Sequence, residues 1–287
     1  MGIFFARCSQ LGADIVTMWA RYGSQYLGGM WSTLKLAVLG TAIGCLIGFL
    51  CGILSTIPCA PQDNPVKRFF LKLIRVIIRV YVEVFRGTPM ILQAVFIFYG
   101  LPYFSGNVFH WGNVFVASLV VVSINTGAYM AESVRGGFLS IDPGQTEGAK
   151  AIGMNHVQTM THVIIPQAFR VLLPQIGNNL IINIKDTSVM FIIGYGELFS
   201  IHRAAVGASY LYFPSAAIEM VAYLCMTLAS SIILRWLEHK MDGDDNYELV
   251  AADQLVGAAG TYTSPKSGSP YDEQSKEFKR KKGGEQA

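Results

Sequence analysis

Few residues in this chain could make or break bonds, and those are scattered. His156 and His162 lie about one and a half helical turns apart, so they share no face for holding a metal. The five cysteines, Cys8, Cys45, Cys51, Cys59 and Cys225, contain no C-x-x-C pair. Cys45, Cys51 and Cys225 sit in apolar blocks and read as small hydrophobic packers. No H-E-x-x-H, P-loop lysine or G-x-S-x-G motif occurs. No catalytic residue, metal set or cofactor is therefore expected on this chain. What remains is hydrogen-bonding chemistry. The stretch "LPQIGNNLIINIKDTSVMFIIGYGEL" carries Asn178, Asn179, Asn183, Lys185, Asp186, Thr187 and Ser188 among apolar residues. Thr88 and Gln93 lie in a second apolar stretch, and Asn125, Thr126 and Glu132 in or beside a third. The meaning of these groups depends on whether the elements around them sit in water or in a bilayer.

Composition favours the bilayer. Of 287 residues 52% are hydrophobic and 14% charged, with mean hydropathy +0.40; soluble domains carry roughly a quarter charged residues. The apolar residues come in blocks. Residues 36–62, 90–112, 113–131 and 220–234 hold no Asp, Glu, Lys or Arg. A transmembrane helix needs about 20 such residues, and backbone groups in lipid must bond internally, so each block is expected to be helical. The fold class expected is an all-α integral membrane protein of about five spans. These lie near residues 30–57, 90–104, 111–131, 161 onward, and 213–237. The fourth is irregular, because only about a dozen residues separate Arg170 from Lys185, too few to cross. Its polar groups would then lie at membrane depth. Such groups face a cavity or bond between helices, and both readings stand.

Further patterns refine this plan. Residues 1–29 read as an extracytoplasmic or interfacial segment with no cleaved signal peptide. Gly40, Gly44, Gly48 and Gly52 recur every four residues, a stripe that lets another helix approach closely. In "KRFFLKLIRVIIRVYVEVFRGTP" the charges at Lys72, Arg75, Arg79, Glu83 and Arg86 fall on one face. An amphipathic helix at the cytoplasmic membrane surface is expected there, leading into the second span. Lys and Arg cluster in the connections after the first, third and fifth spans, which predicts the N-terminus outside and the C-terminus in the cytoplasm. Residues 30–241 form the membrane domain. Residues 242–287 are too polar to bury a core and are expected to be disordered. The terminal cluster "KEFKRKKGG" suits anionic lipid headgroups, and no nucleic-acid partner is expected.

The polar segment around residues 140–166 reads as two short capped helices. Asp142, Pro143 and Gln145 supply an N-cap, a first-turn proline and a capping-box partner. The first helix runs to Ile152 and ends at Gly153, a left-handed C-cap. Asn155 and Gln158 repeat the capping pattern, and Pro166 follows where the segment joins the fourth span. A rigid projecting element of this kind suits docking into a partner's groove.

This segment resembles the cytoplasmic loop of bacterial ABC importer membrane subunits, whose pattern is E-A-A-x3-G-x9-I-x-L-P. Glu147, Ala149 and Gly153 fall in place, Val163 and Ile165 stand for the aliphatic pair, and Pro166 for the proline. Gly148 replaces the first alanine. "YVEVFRGTPMILQAVFIFYGLP", "GAYMAESVRGGFLSIDPGQTEGAKAIG", "VIIPQAFRVLLPQIGNN" and "IKDTSVMFIIGYGEL" resemble the polar amino acid uptake subfamily, and the resemblance covers residues 30–240. It implies a multi-pass permease of the bacterial inner membrane. Implied partners are two ATPase subunits holding ATP and magnesium, a second permease, alike or related, and an extracytoplasmic amino acid-binding protein. Glu147, Gly148, Ala149, Gly153 and Pro166 would couple to the ATPase. Asn179, Asn183, Thr187 and Ser188 would contact substrate, with Thr88 and Gln93 as further candidates. Lys185 and Asp186 either join that path or pair with each other. The rival readings are an ion-coupled carrier or channel, which calls for paired intramembrane carboxylates or an inverted repeat, and a membrane scaffold. Neither the carboxylate pair nor the repeat is visible in the sequence.

Overall fold

The structure, a computed structural model, describes residues 2–57 and 64–242. The expected tail beyond residue 242, Pro58, Pro61 and Cys59 lie outside the described residues. α1 (Gly2–Thr56) is one unbroken helix of 55 residues, about 80 Å long. The residues up to position 29 are helically continuous with the first apolar block, since no proline precedes Pro58. Their inner face is spent on packing: Met18, Tyr22 and Tyr26 are buried against residues near the C-terminal end of the described chain.

α2 (Pro65–Gly87) opens with Asn64 as N-cap, whose side chain accepts from the Val66 N–H at 3.0 Å. Its basic and apolar faces form as the charge spacing predicts. α3 (Met90–Val95), a π-helical turn (Phe96–Gly100) and α4 (Leu101–Phe104) follow after a bend of 112°. The bend sits where Thr88 and Pro89 interrupt the helix. It sets α2 across, rather than along, the apolar run that follows.

α5 (Val114–Leu139) is capped by Asn113, which accepts from the Phe115 N–H at 2.8 Å. α6 (Pro143–Ala151) and α7 (His156–Thr159) form the polar segment. A π turn (Met160–Ile164), α8 (Ile165–Asp186) and a 3-10 segment (Thr187–Ile193) make the fourth span. α9 (Leu198–Ser209) follows at 54°, and α10 (Tyr212–Asp242) closes the described chain. Between the fourth and fifth expected spans, where a connection is expected, Glu197 starts a helix. Among the described residues three helices are long and apolar enough to cross a membrane, and up to five spans result if each bent pair counts as one. Among the described residues no strand occurs.

α1 and α5 form the seam of the fold, and the glycine stripe explains it. A Cβ added at Gly40, Gly44, Gly48 or Gly52 would lie 2.3–2.6 Å from Val122, Thr126, Met130 or Val134 respectively. The α5 partners also recur every four residues, so stripe meets stripe along four turns. Side-chain-free positions on one helix receive the side chains of the other, the small-residue mode of membrane helix packing. Tyr81 adds a cross-tie, its hydroxyl donating to the Ile124 carbonyl at 2.5 Å. Cys45 is buried in the adjoining cluster with Met130, Val134 and Leu172, the packing role expected of it. Outward faces remain apolar: Leu46, Leu50 and Ile232 are exposed, as lipid contact requires.

Candidate functional site

Proline creates the first part of the site. In an uninterrupted helix the Phe85 carbonyl would accept from the residue four positions on, but that residue is Pro89 and has no N–H. The orphan carbonyl is served by side chains instead. Gln93 Nε2 donates to it at 2.9 Å and Asn125 Nδ2 at 3.3 Å. Gln93 also donates to the Thr88 carbonyl at 2.9 Å, and Asn125 donates to Gln93 Oε1 at 2.9 Å. Thr88 Oγ1 donates back to the Val84 carbonyl at 2.8 Å. The bend is thus held by a three-residue amide and hydroxyl network drawn from α3, α5 and the bend itself.

α8 contributes the opposite wall. Asn183 Nδ2 donates to Thr41 Oγ1 at 2.7 Å and to Thr126 Oγ1 at 2.9 Å, tying α8 to α1 and α5 through one buried amide. Asn179, one turn earlier, donates to the Gln175 carbonyl at 2.9 Å and is half-buried. Between these walls lies a cavity of about 500 Å³. Arg86, Thr88, Asn125, Thr126, Tyr129, Asn179, Asn183 and Asp186 supply its polar lining. Arg86 is ion-paired with Glu132 and stands over the Tyr129 ring, 5.4 Å from its centroid.

The sequence candidates divide on this geometry. Thr88, Asn179, Asn183 and Asp186 come together at the cavity. Gln93 does not line it, being spent on the bend. Thr187 is fully buried and donates to the Ile184 carbonyl at 3.1 Å. Ser188 and Lys185 lie off the wall. Lys185 and Asp186 form no ion pair within reach, since consecutive helix positions point apart. Arg86 and Tyr129 were missed as cavity residues. The clue for Arg86 was its place directly before Gly87-Thr88-Pro89, where the helix has to break.

A second polar cluster also went unseen. Glu197 is fully buried and caps α9: its carboxylate accepts from the Phe199 and Ser200 N–H groups, both at 2.8 Å. Ser200 Oγ at 3.1 Å and the Tyr223 hydroxyl at 3.1 Å complete its partners. Nearby, Ser215 Oγ bonds Tyr26 at 2.5 Å and His202 Nδ1 at 2.8 Å, and Glu219 lies 3.5 Å from that same nitrogen. Glu197 and Glu219 stand 22 positions apart in sequence, and folding brings them close enough to interact electrostatically, although each keeps its own partners. Both oxygens of Glu197 are occupied by cap donors, which makes it a structural group.

The projecting segment is built as its capping residues dictate, with one change. Asp142 accepts from the Gly144 N–H at 2.8 Å, and Pro143 opens α6. Gln145 does not return the capping bond. Its side-chain oxygen accepts from Gln167 Nε2 at 3.2 Å, fastening α6 to the start of α8 near Pro166. At the far end Gly153 adopts φ +84. Its N–H bonds the Lys150 carbonyl and the Met154 N–H bonds the Ala149 carbonyl, both at 3.0 Å. This is a complete Schellman closure, which a left-handed glycine permits. Asn155 and Gln158 form a reciprocal capping box, each bond 2.9 Å. Ala149 faces inward, while Glu147 and Gly148 are exposed.

A helix fixed at both ends, with its acidic residue outward, stands beside a membrane domain that holds a polar cavity. The same sequence matches, over residues 48–243, the family described as binding-protein-dependent transport system inner membrane components. The chain belongs to that family. Its relatives include the glutamine transport system permease protein of Escherichia coli strain K12, 37% identical over 209 residues, covering 73% of this chain and 89% of that one. The arginine transport system permease protein of Bacillus subtilis strain 168 is 31% identical over 219 residues, covering 76% and 93%. Among solved structures, an amino acid ABC transporter with histidines matches with TM-score 0.68 at 32% identity, covering 78% of this chain and 97% of that one. The inward-facing MetNI methionine ABC transporter shares the fold, with TM-score 0.56 at 19% identity over 75% and 97%. This permease is an all-α membrane protein of the inner membrane.

Proposed function

We propose that this permease subunit imports a polar amino acid at the expense of ATP hydrolysed by separate partner subunits. The observation that carries the reading is α6: a helix locked at both ends by caps, with Glu147 exposed and Ala149 packed inward. Force applied to such a rigid element moves the spans it is fastened to, here through Gln145 and Gln167 to α8. α8 carries Asn179, Asn183 and Asp186, so movement of α6 reaches the cavity wall. ATP and magnesium reside on the ATPases, two of which engage a pair of permeases, identical or related. The N-terminus lies outside, where a binding protein delivers substrate, and α6 lies in the cytoplasm.

The cavity suits an amino acid. Asp186 provides a carboxylate for the α-ammonium group. The amides of Asn125, Asn179 and Asn183 offer neutral partners, which favours an uncharged polar side chain; the E. coli relative is named for glutamine. The two conformations of the pathway are biased by ATP binding, as in other two-state transporters.

Glu147→Lys tests the coupling role. It reverses the one acidic charge on the exposed face of α6 without touching a buried atom. ATPase subunits co-purify with the wild-type permease and are expected to be lost, or to hydrolyse ATP without transport, in the variant. Normal co-purification together with normal coupling would remove Glu147 from the interface.

A further inference from the structure

Between α2, the end of α1 and the C-terminal half of α5 lies a cleft of about 270 Å³ that serves no step of transport described above. Four arginines line it, Arg75, Arg79, Arg86 and Arg135, against two carboxylates, Glu83 and Glu132. Arg86 and Glu132 neutralise each other as an ion pair. The remaining three guanidiniums face one carboxylate. Arg75 donates through its Nη to the Ile57 carbonyl, yet its Nε is buried with no hydrogen-bond partner. Among the described residues Arg79 and Arg135 make no hydrogen bond or ion pair. A buried guanidinium donor left unsatisfied is costly, and it marks a place where an acceptor is missing.

The surroundings specify the acceptor. On its other side α2 exposes Phe69, Leu73, Val76, Ile77, Val80 and Val84. The 112° bend sets this helix across the spanning direction of α3. A helix with guanidiniums on one face and bare apolar side chains on the other belongs at the headgroup level of a bilayer. The cleft therefore opens where lipid phosphates lie, beside an apolar face that acyl chains can cover. Basic recesses between membrane helices are suited to anionic headgroups. We propose that this cleft binds the phosphate of an anionic phospholipid, with Arg75 Nε, Arg79 and Arg135 as donors, and that the lipid joins α2 to α1 and α5.

The test is a thermal-unfolding titration of the full chain, purified with its partner subunits in a neutral detergent. Phosphatidylglycerol, phosphatidylcholine and inorganic phosphate are added separately at equal phosphate concentration. Phosphatidylglycerol is expected to raise the unfolding midpoint, and the other two to leave it in place. Arg79→Gln with Arg135→Gln should weaken the apparent phosphatidylglycerol affinity roughly 30-fold, each lost charge accounting for about 5-fold. Arg79→Lys with Arg135→Lys should keep the preference. If the glutamine pair fails to fold, Arg135→Gln alone carries the test, with its ~5-fold weakening. Equal response to phosphatidylcholine would overturn the proposal. So would inorganic phosphate matching phosphatidylglycerol, which would assign the cleft to a free anion. An undiminished preference in the foldable glutamine variant would place the lipid elsewhere.

Discussion

Gly48→Ala adds a single methyl group to the middle of the α1–α5 seam. Its ideal position lies 2.3 Å from Met130 Cβ, 2.8 Å from the Met130 carbonyl carbon and 2.9 Å from the Ala131 nitrogen. Two of these are backbone atoms, so no rotamer change relieves the clash. Reaching ordinary contact at 3.4 Å requires the two helices to part locally by about 1 Å. A gap of that size forfeits roughly a quarter to a half of each dispersion contact along the neighbouring turns. Overpacking of this kind costs about 1–3 kcal/mol. Alanine also gains about 1 kcal/mol over glycine in helix propensity, and that gain needs its own control. Gly28 lies in the same helix with nothing within 4 Å of an added Cβ. Gly28→Ala should therefore be neutral or mildly stabilising, and Gly48→Ala less stable than it by about 2 kcal/mol. The assay is the thermal midpoint of both variants in one detergent, with an expected separation of ~5 °C. Equal midpoints would refute the close approach of α1 and α5.

Two further outcomes follow from the caps. Glu197→Ala removes all four partners of the α9 cap and strands the Tyr223 hydroxyl, at a cost of about 3 kcal/mol; Glu197→Gln should cost less, and amide exchange at Phe199 and Ser200 distinguishes them. In the projecting segment Gly153→Ala should speed amide exchange across α6, because φ +84 strains an alanine by about 1 kcal/mol. Gly148→Ala, with open space around its Cβ, should slow it; a shift of both in the same direction would contradict the assigned geometry.

Local signals in the sequence are legible where one element carries the whole pattern. The four-residue glycine spacing led to the tightest seam, and Asn155 with Gln158 to a formed capping box. Residue type and spacing mislead where the outcome depends on a distant partner. Gln145 has the right type and spacing for a capping box, but Gln167, 22 positions on, takes its oxygen. Gln93 is a polar residue in an apolar stretch, which suggested a pathway. The fold spends it on a carbonyl that Pro89 leaves unpaired. α9 was overlooked because its cap is a glutamate, outside the usual Ser, Thr, Asp and Asn set. The buried Glu197 and Glu219 became neighbours only when α9 folded onto α10.

Uptake of a radiolabelled polar amino acid, chosen by a ligand panel on the binding protein, into vesicles that contain this permease, its ATPase and its binding protein is the decisive measurement. Accumulation is expected only with ATP and all partners present, and it should fall to background in Glu147→Lys. Transport that persists without the ATPase, or at the wild-type rate in that variant, would contradict an ATP-driven importer coupled through α6.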